Sequence, residues 1–319
     1  MTDSPRAIRL GTRRSKLATT QSQIVADQLT ALTGIPVELV LITTEGDANT
    51  SDSLASLGGT GVFVSAVRDE LLAGNIDFAV HSLKDLPTEP HPGVEICAIP
   101  KREDAHDALC ASDGKTLQDL PLGAVVGTGS PRRRAQLQAI RPDLKLVDLR
   151  GNIDTRLTKV TQDQLDAVVL ASAGLNRIGF SEAITELLDF DLMLPAPGQG
   201  ALAIESRSTL QDESPALAQA LSQLDDQHTR LAVTAERALL RELEAGCSAP
   251  VGAFSQIADT ASDKSGVTLE LSGVVAGEDG TRVIRESISG AAADAQALGI
   301  ELARKMLALG ASELMTEMK

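Results

Sequence analysis

Tryptophan and tyrosine are absent from this 319-residue chain, and its aromatic content stops at five phenylalanines. Platforms for stacking nucleic-acid bases are therefore missing, and any core must be packed from leucine, valine, isoleucine and alanine. Cysteine is equally scarce. Cys97, Cys110 and Cys247 lie far apart and form no CxxC pair, which argues against a disulfide framework or a zinc site. The four histidines are scattered, so no metal is expected. No apolar run approaches the length that crosses a bilayer, and the polar residues 1–6 precede no apolar signal core. A cytoplasmic protein is the expectation. Positive charge is the last deficit: 29 Lys+Arg face 44 Asp+Glu, a net charge of -15. Such a chain has little general affinity for nucleic acid or for an anionic membrane. Nothing in it demands more than a monomer.

The basic charge that is present is concentrated. Residues 100–180 hold 12 basic and 10 acidic side chains, leaving 17 and 34 for the rest of the chain. Within that window Arg132, Arg133, Arg134, Arg150, Arg156 and Arg177 stand beside turns rich in glycine, serine and threonine. A guanidinium fork pairs with carboxylate or phosphate in a fixed geometry. The pattern points to a small, soluble, multiply negative ligand.

The length predicts two or three domains. The first two thirds alternate short apolar runs with helical patterns, which implies α/β architecture. Residues 8–11 predict a strand. Ser15 can then cap a helix striped by Ala18, Val25, Leu29 and Leu32 and stopped by Gly34 and Pro36. Further strands are predicted over 37–43 and 77–80, the second running into HSLKDLP. The polar stretch 44–61 between them is long for a connection and reads as a mobile lid.

A similar grammar restarts near Ala124. AVVGTGSPRRRAQL resembles IRLGTRRSKLATTQ, and DAVVLASAGL echoes DFAVHSLKDL. That repeat implies two related lobes, with ligand at the carboxyl ends of their strands. LPAPGQGALAIES suits a crossover back toward the first lobe. The last third predicts a helix over 229–245, with Ala232, Ala235, Leu239 and Leu243 on one face. A hairpin around GEDG and a C-terminal helix ending at Gly310 complete a small α+β domain.

Three groups of residues could carry chemistry, and each has a plain structural alternative. Cys247, in GCSAPVGA, is either a small buried thiol or an exposed one able to form a covalent bond. Cys97 in EICAIP and Cys110 in DALCAS read as buried. Asp85, at the end of the HSLKDLP strand, either caps the next turn and pairs with Lys84 or stabilises a developing cation or moves a proton. The RRR run is either a solvated helix face, as Arg134 and Arg141 suggest, or a grip for anions. Arg150 and Arg156 in DLRGNIDTR flank a strand-to-helix turn, where a helix N-terminus also attracts negative charge. Thr128 and Ser130 in GTGSP add donors.

These segments together resemble the hydroxymethylbilane synthase family, also called porphobilinogen deaminase. GTRRSKLATTQ, TTEGD, GVFVSAVRDELL, DFAVHSLKDLPT, REDAHDAL, VGTGSPRRRAQL, DLRGNIDTRL, ASAGLNRIG, LPAPGQGALAIE and AERALLRELEAGCSAPVGA occur in the family's order, from Arg9 almost to the C-terminus. The resemblance implies two periplasmic-binding-protein-like (type II) α/β lobes and a smaller α+β domain, divided as 1–100 with 200–224, 101–199, and 225–319. It also implies a dipyrromethane cofactor joined to Cys247 by a thioether. The reaction implied is that of a transferase in porphyrin (haem) biosynthesis. It condenses four porphobilinogen units head to tail, releases ammonia each time, and hydrolyses off hydroxymethylbilane.

On the same ground Asp85 would be the catalytic carboxylate, stabilising the azafulvene-like cation. Lys84, Ser130, Arg132, Arg133 and Arg150 would hold the cofactor. Arg13, Ser15, Arg156, Arg177, Gln199 and Phe63 would line the substrate site. Thr60 stands where many members carry lysine, and Gly129, Pro131 and Asn176 also depart from common choices. A non-catalytic two-lobed anion-binding protein is the alternative, disfavoured by the missing export signal and the Cys-bearing third domain. A Cys-nucleophile hydrolase would want a histidine as base, and none lies near Cys247 in sequence.

Overall fold

The computed structural model describes residues 6–43, 61–245, 249–258 and 267–316, without the side chains of 61–63 and 316. The chain divides into two compact units, Met1–Arg102 with Ala201–Arg230, and Glu103–Gly200 with Leu231–Lys319.

In the first unit, β1 (Ile8–Arg13), β2 (Val37–Ile42), β3 (Phe78–Ser82), β4 (Val94–Ala98) and β10 (Leu202–Arg207) form one sheet in the order β2-β1-β3-β10-β4. β10 runs antiparallel to both of its neighbours, while β1 pairs in parallel with β2 and β3. Helices cover both faces, so the strands read as near-continuous apolar runs rather than as alternating ones. Leu10, Phe78 and Ile204 pack against Val25 and Leu29 of the Lys16–Thr33 helix. Ile42, Ala79 and Val94 pack against Val67 and Leu71 of the Gly61–Leu72 helix. The first helix starts where the Ser15 Oγ accepts the Ala18 N–H at 3.3 Å, and ends at Gly34, left-handed with φ 70. Its buried stripe stops short of the predicted one. Leu32, in the final turn, is 48% exposed and lies outside the core.

In the second unit, β5 (Asp107–Ala111), β6 (Val125–Gly127), β7 (Lys145–Val147), β8 (Ala167–Ala171) and β9 (Glu186–Leu188) follow the order β7-β6-β8-β5-β9. Position for position this repeats the first sheet. β5, like β10, is the fourth strand and antiparallel to both neighbours. β1 therefore corresponds to β6, and β3 to β8, the two pairs of strands whose sequences echo each other.

The C-terminal part adds an antiparallel sheet of β11 (Val251–Ala258), β12 (Thr268–Ala276) and β13 (Val283–Ala291). Leu239 and Leu243, near the end of the Gln227–Glu242 helix, pack with Leu271, Val275, Leu302 and Met306. A short helix, Ala311–Thr316, continues beyond Gly310, where sequence reasoning ended the chain's last helix. The β12–β13 turn sits against the Pro131–Ile140 helix: a Cβ on Gly280, whose φ is 70, would lie 2.4 Å from the Ala139 nitrogen. Among the described residues no helix is long and apolar enough to cross a membrane.

Candidate functional site

In the first unit β3 ends at Ser82, two residues past the strand predicted over 77–80 and three residues before Asp85, so Asp85 does not stand at the strand's end. Asp85 instead closes a 3-10 turn, Leu83–Asp85. The turn is clamped by the Leu83 N–H donating to the Ala201 carbonyl at 3.0 Å and the Leu86 N–H donating to Leu83 at 3.1 Å. Leu83 and Leu86 are buried on either side, which leaves Lys84 and Asp85 between them half-exposed. Ser82 is tied to the first helix by reciprocal hydrogen bonds with the Gln21 amide, at 3.0 and 3.1 Å. The Asp85 carboxylate makes no hydrogen bond or ion pair with any described residue, so the pairing with Lys84 does not form. Arg13 is the last residue of β1 and is half-buried; Ser15 spends its hydroxyl on the helix cap.

On the strands β10 and β3 of the same sheet lies an ionic cluster that the sequence did not reveal. Glu205 on β10 is 2% exposed and accepts from Arg68 Nη2 at 2.6 Å and Nε at 3.1 Å. His81 Nε2 lies 3.3 Å from Glu205 Oε2, the oxygen that also accepts from Arg68 Nε, near enough for electrostatic attraction but not aligned as a hydrogen bond. Burial raises the Glu205 pKa, but His81 and Arg68 outweigh it and bring the value down to about 2.

The second unit gathers the predicted arginines around a residue to which the sequence assigned no role. Ser130 caps the Pro131–Ile140 helix, its Oγ accepting the Arg133 N–H at 3.4 Å, with Pro131 in the first turn. From that helix, Arg132 and Arg133 reach Asp107, the first residue of β5, which is 0% exposed. Asp107 Oδ2 accepts from Arg132 Nη1 at 2.6 Å. Oδ1 accepts from Arg133 Nε at 2.9 Å and Nη2 at 2.7 Å, and from Gln199 Nε2 at 3.0 Å. Burial pushes the Asp107 carboxyl up, yet the two guanidiniums hold it well below the usual carboxylate range.

The solvated-face alternative for RRR is thus wrong at Arg132 and Arg133, which are 4% and 6% exposed. It also fails at Arg141, which pairs with Asp143 at 2.7 Å and donates to the Leu117 carbonyl at 2.6 Å. Arg134 donates to the Leu146 carbonyl at 3.2 Å. Sequence distance hid the reason: the acid that compensates two of these charges sits 25 residues upstream, in REDAHDAL.

The remaining arginines divide by element. Asn152 caps the Ile153–Thr161 helix through the Thr155 N–H at 2.9 Å. Next to that cap, Arg150 Nε pairs with Asp148 at 3.0 Å, and Arg156 Nε donates to the Gly151 carbonyl at 2.8 Å. Arg177, at the end of the Ser172–Arg177 helix, donates from Nη2 to the Gly200 carbonyl at 2.7 Å. Burial works against the charged forms of Arg156 and Arg177; Arg133 adds to this for Arg156, and Glu103 offsets it for Arg177. Gln199 is fully buried and also donates to the Ala105 carbonyl at 2.8 Å, so it braces Asp107 from inside.

Cys247 and the polar stretch 44–60 lie outside the described residues, as does the side chain of Phe63. Of the other thiols, Cys110 is buried and Cys97 half-buried. Burial pushes them up to about 12 and about 11 respectively. Among the described residues no group of three His, Cys, Asp or Glu side chains could hold a metal ion.

Comparison with known proteins covers almost the whole chain. Residues 8–214 match the family model described as porphobilinogen deaminase, dipyromethane cofactor binding domain, and residues 230–308 match the porphobilinogen deaminase C-terminal domain. The chain is 54% identical to porphobilinogen deaminase 1 of Streptomyces coelicolor over 98% of both chains. It is 53% identical to the porphobilinogen deaminase of Thermobifida fusca, over 97% of this chain and 96% of that one. Among solved structures, a methionine-binding protein aligns at 14% identity and a TM-score of 0.44, covering 69% of this chain and 90% of that one. With both family models matched in chain order and relatives above half identity along its length, the chain belongs to the porphobilinogen deaminase family.

Proposed function

We propose that this chain is a hydroxymethylbilane synthase: a transferase that deaminates porphobilinogen, joins four units head to tail on a dipyrromethane primer, and releases the linear product by hydrolysis. One observation carries the reading to this chain's own residues. Two buried guanidiniums share a single carboxylate at Asp107, leaving a surplus of one positive charge, and Arg132 Nε is buried without a hydrogen-bond partner. A buried cation needs an acidic group to complete it. Dipyrromethane, which bears acetate and propionate groups, fits that need, and when bound it supplies the pyrrole end to which substrate is joined.

The chain's own residues divide the work. Cys247 anchors the primer, which makes each coupling effectively intramolecular. Asp85, on its clamped turn, offers a carboxylate to the positive charge that develops on porphobilinogen as ammonia leaves. It therefore acts on the barrier more than on binding. Lys84, Ser130, Arg132, Arg133 and Arg150 hold the primer's acidic groups, and Arg13, Ser15, Arg156, Arg177, Gln199 and Phe63 serve the incoming substrate. The lobes and the Cys-bearing domain are assigned to 1–100 with 200–224, 101–199, and 225–319. The protein works as a cytoplasmic monomer.

Intact mass spectrometry with Ehrlich's reagent tests the central claim. Purified protein should carry an excess mass of two linked pyrrole units, and Cys247→Ala should lack it. Unmodified wild-type protein that porphobilinogen cannot reconstitute would defeat the enzyme reading and favour a binding protein.

A further inference from the structure

We infer that Asp107 is a positioning residue of this enzyme: it fixes the direction and net charge of the Arg132–Arg133 pair that meets the primer. The inference rests on the reading that these two arginines hold acidic groups, and it assigns a role to a side chain that contacts neither primer nor substrate.

The acceptor count supports it. Three side-chain donors converge on Asp107 Oδ1, two from Arg133 and one from Gln199, and Arg132 donates to Oδ2. The carboxylate is 0% exposed behind these donors, so its work is internal.

The same bonds decide which edge each arginine keeps. Arg133 turns its Nε and Nη2 edge to Asp107 and gives Nη1 to the Val169 carbonyl at 2.8 Å. Arg132 does the reverse. Its Nη1 is divided between Asp107 and the Leu194 carbonyl, at 2.6 and 2.7 Å, so its Nε and Nη2 edge is not used by Asp107. That edge presents two parallel N–H groups, the arrangement that takes a carboxylate bidentately. Gln136 reinforces the choice by donating to the same Leu194 carbonyl at 3.0 Å while its Oε1 accepts the Leu194 N–H at 2.9 Å. The orientation of Arg132 is thus determined from three elements before any ligand arrives.

Charge supports the same conclusion. Without Asp107 the site would hold two adjacent buried cations, which repel each other and turn toward solvent or backbone. With it, the site is left one negative charge short, so a single carboxylate completes the balance. Other charges within reach do not supply it: burial and Arg133 both disfavour the charged form of Arg132, and only Asp107 favours it.

The test uses full-length holoenzyme carrying Asp107→Glu, Asp107→Asn, Arg132→Gln, or Asp107→Glu with Arg132→Gln. Circular dichroism and melting report folding, Ehrlich's reagent with intact mass reports primer content, and steady-state kinetics separate kcat from KM. Asp107→Glu keeps the charge but is one methylene longer. It should fold, retain its primer, and lose roughly ten- to a hundredfold in kcat, as expected when a reacting group is displaced by about an ångström. Adding it to Arg132→Gln should cost less than about threefold more, because the two act through one guanidinium.

Wild-type kcat in a folded Asp107→Glu or Asp107→Asn variant would overturn the inference, as would losses that simply multiply in the double variant. Failure of both single variants to fold would also overturn it, by making Asp107 a residue of folding alone. Normal primer content and turnover in Arg132→Gln would remove the underlying reading and this inference with it. Wild-type protein lacking the primer would instead defeat the enzyme reading itself.

Discussion

Glu205 in β10 and Arg68 in the Gly61–Leu72 helix, 137 positions apart in sequence, meet through two hydrogen bonds of 2.6 and 3.1 Å, both residues buried. Removing one partner of such a pair leaves an uncompensated buried charge. Glu205→Ala should therefore lower unfolding stability by about 3 kcal/mol or more, read as a shift in the urea midpoint. Wild-type stability in that variant would mean that water already reaches the pair.

The same pair sets an acid limit. The Glu205 carboxyl falls from an ordinary 4.5 to about 2 in the folded protein. A carboxyl with a depressed folded pKa contributes its stability above the unfolded value and loses it as pH falls toward the folded one. Between pH 4.5 and 2, about 3 kcal/mol should be lost through this group. Urea titrations across that window should show a shallower decline in Glu205→Gln than in the parent protein. Parallel declines would remove Glu205 as the cause.

Gly200 sits at φ +86, and a Cβ there would lie 2.4 Å from the Glu103 carbonyl oxygen. Its own carbonyl is the acceptor for Arg177. Gly200→Ala should cost about 2 kcal/mol or more through clash and backbone strain. It should also raise the KM for porphobilinogen by displacing Arg177. A stable variant with unchanged KM would show that this arginine does not meet substrate.

Asp85→Asn should keep the fold, because Leu83, Leu86 and backbone bonds hold the turn, yet lose nearly all turnover. Circular dichroism and steady-state rates check this together. A folded variant with full activity would take Asp85 out of the chemistry.

Thiol chemistry gives an independent count. Three cysteines are present, and burial pushes two of them, Cys97 and Cys110, up to about 11 and 12. The thiolate is the reactive form, so native holoenzyme should resist maleimide at neutral pH. After denaturation it should take two labels, against three for protein freed of its primer. Three labels on denatured holoenzyme would show that Cys247 carries no thioether.

Local features were the legible ones. The Ser15 cap, the Gly34 stop and the GEDG hairpin depend on a few neighbouring residues, and sequence order contains them. The strand–turn–helix repeat was legible for the same reason. The Asp107 and Glu205 clusters were not, since their partners come from 25 to 137 positions away and carry no shared periodicity. RRR looked like a wet surface because nothing adjacent to it is acidic. Asp85 was placed at a strand's end because Leu83 continues the apolar run of the strand while its backbone has already turned.

The matching strand orders have a consequence for how basic side chains are used. β1 and β6 each hand the chain to a helix capped by serine. At the end of β1 the arginines, half-buried Arg13 and exposed Arg14, precede the cap; after β6, Arg132 and Arg133 follow it and are buried. A shift of a few residues across one hydroxyl has turned one backbone plan into two tools: a half-open hand in one copy, and in the other a sunken socket whose shape was settled in advance.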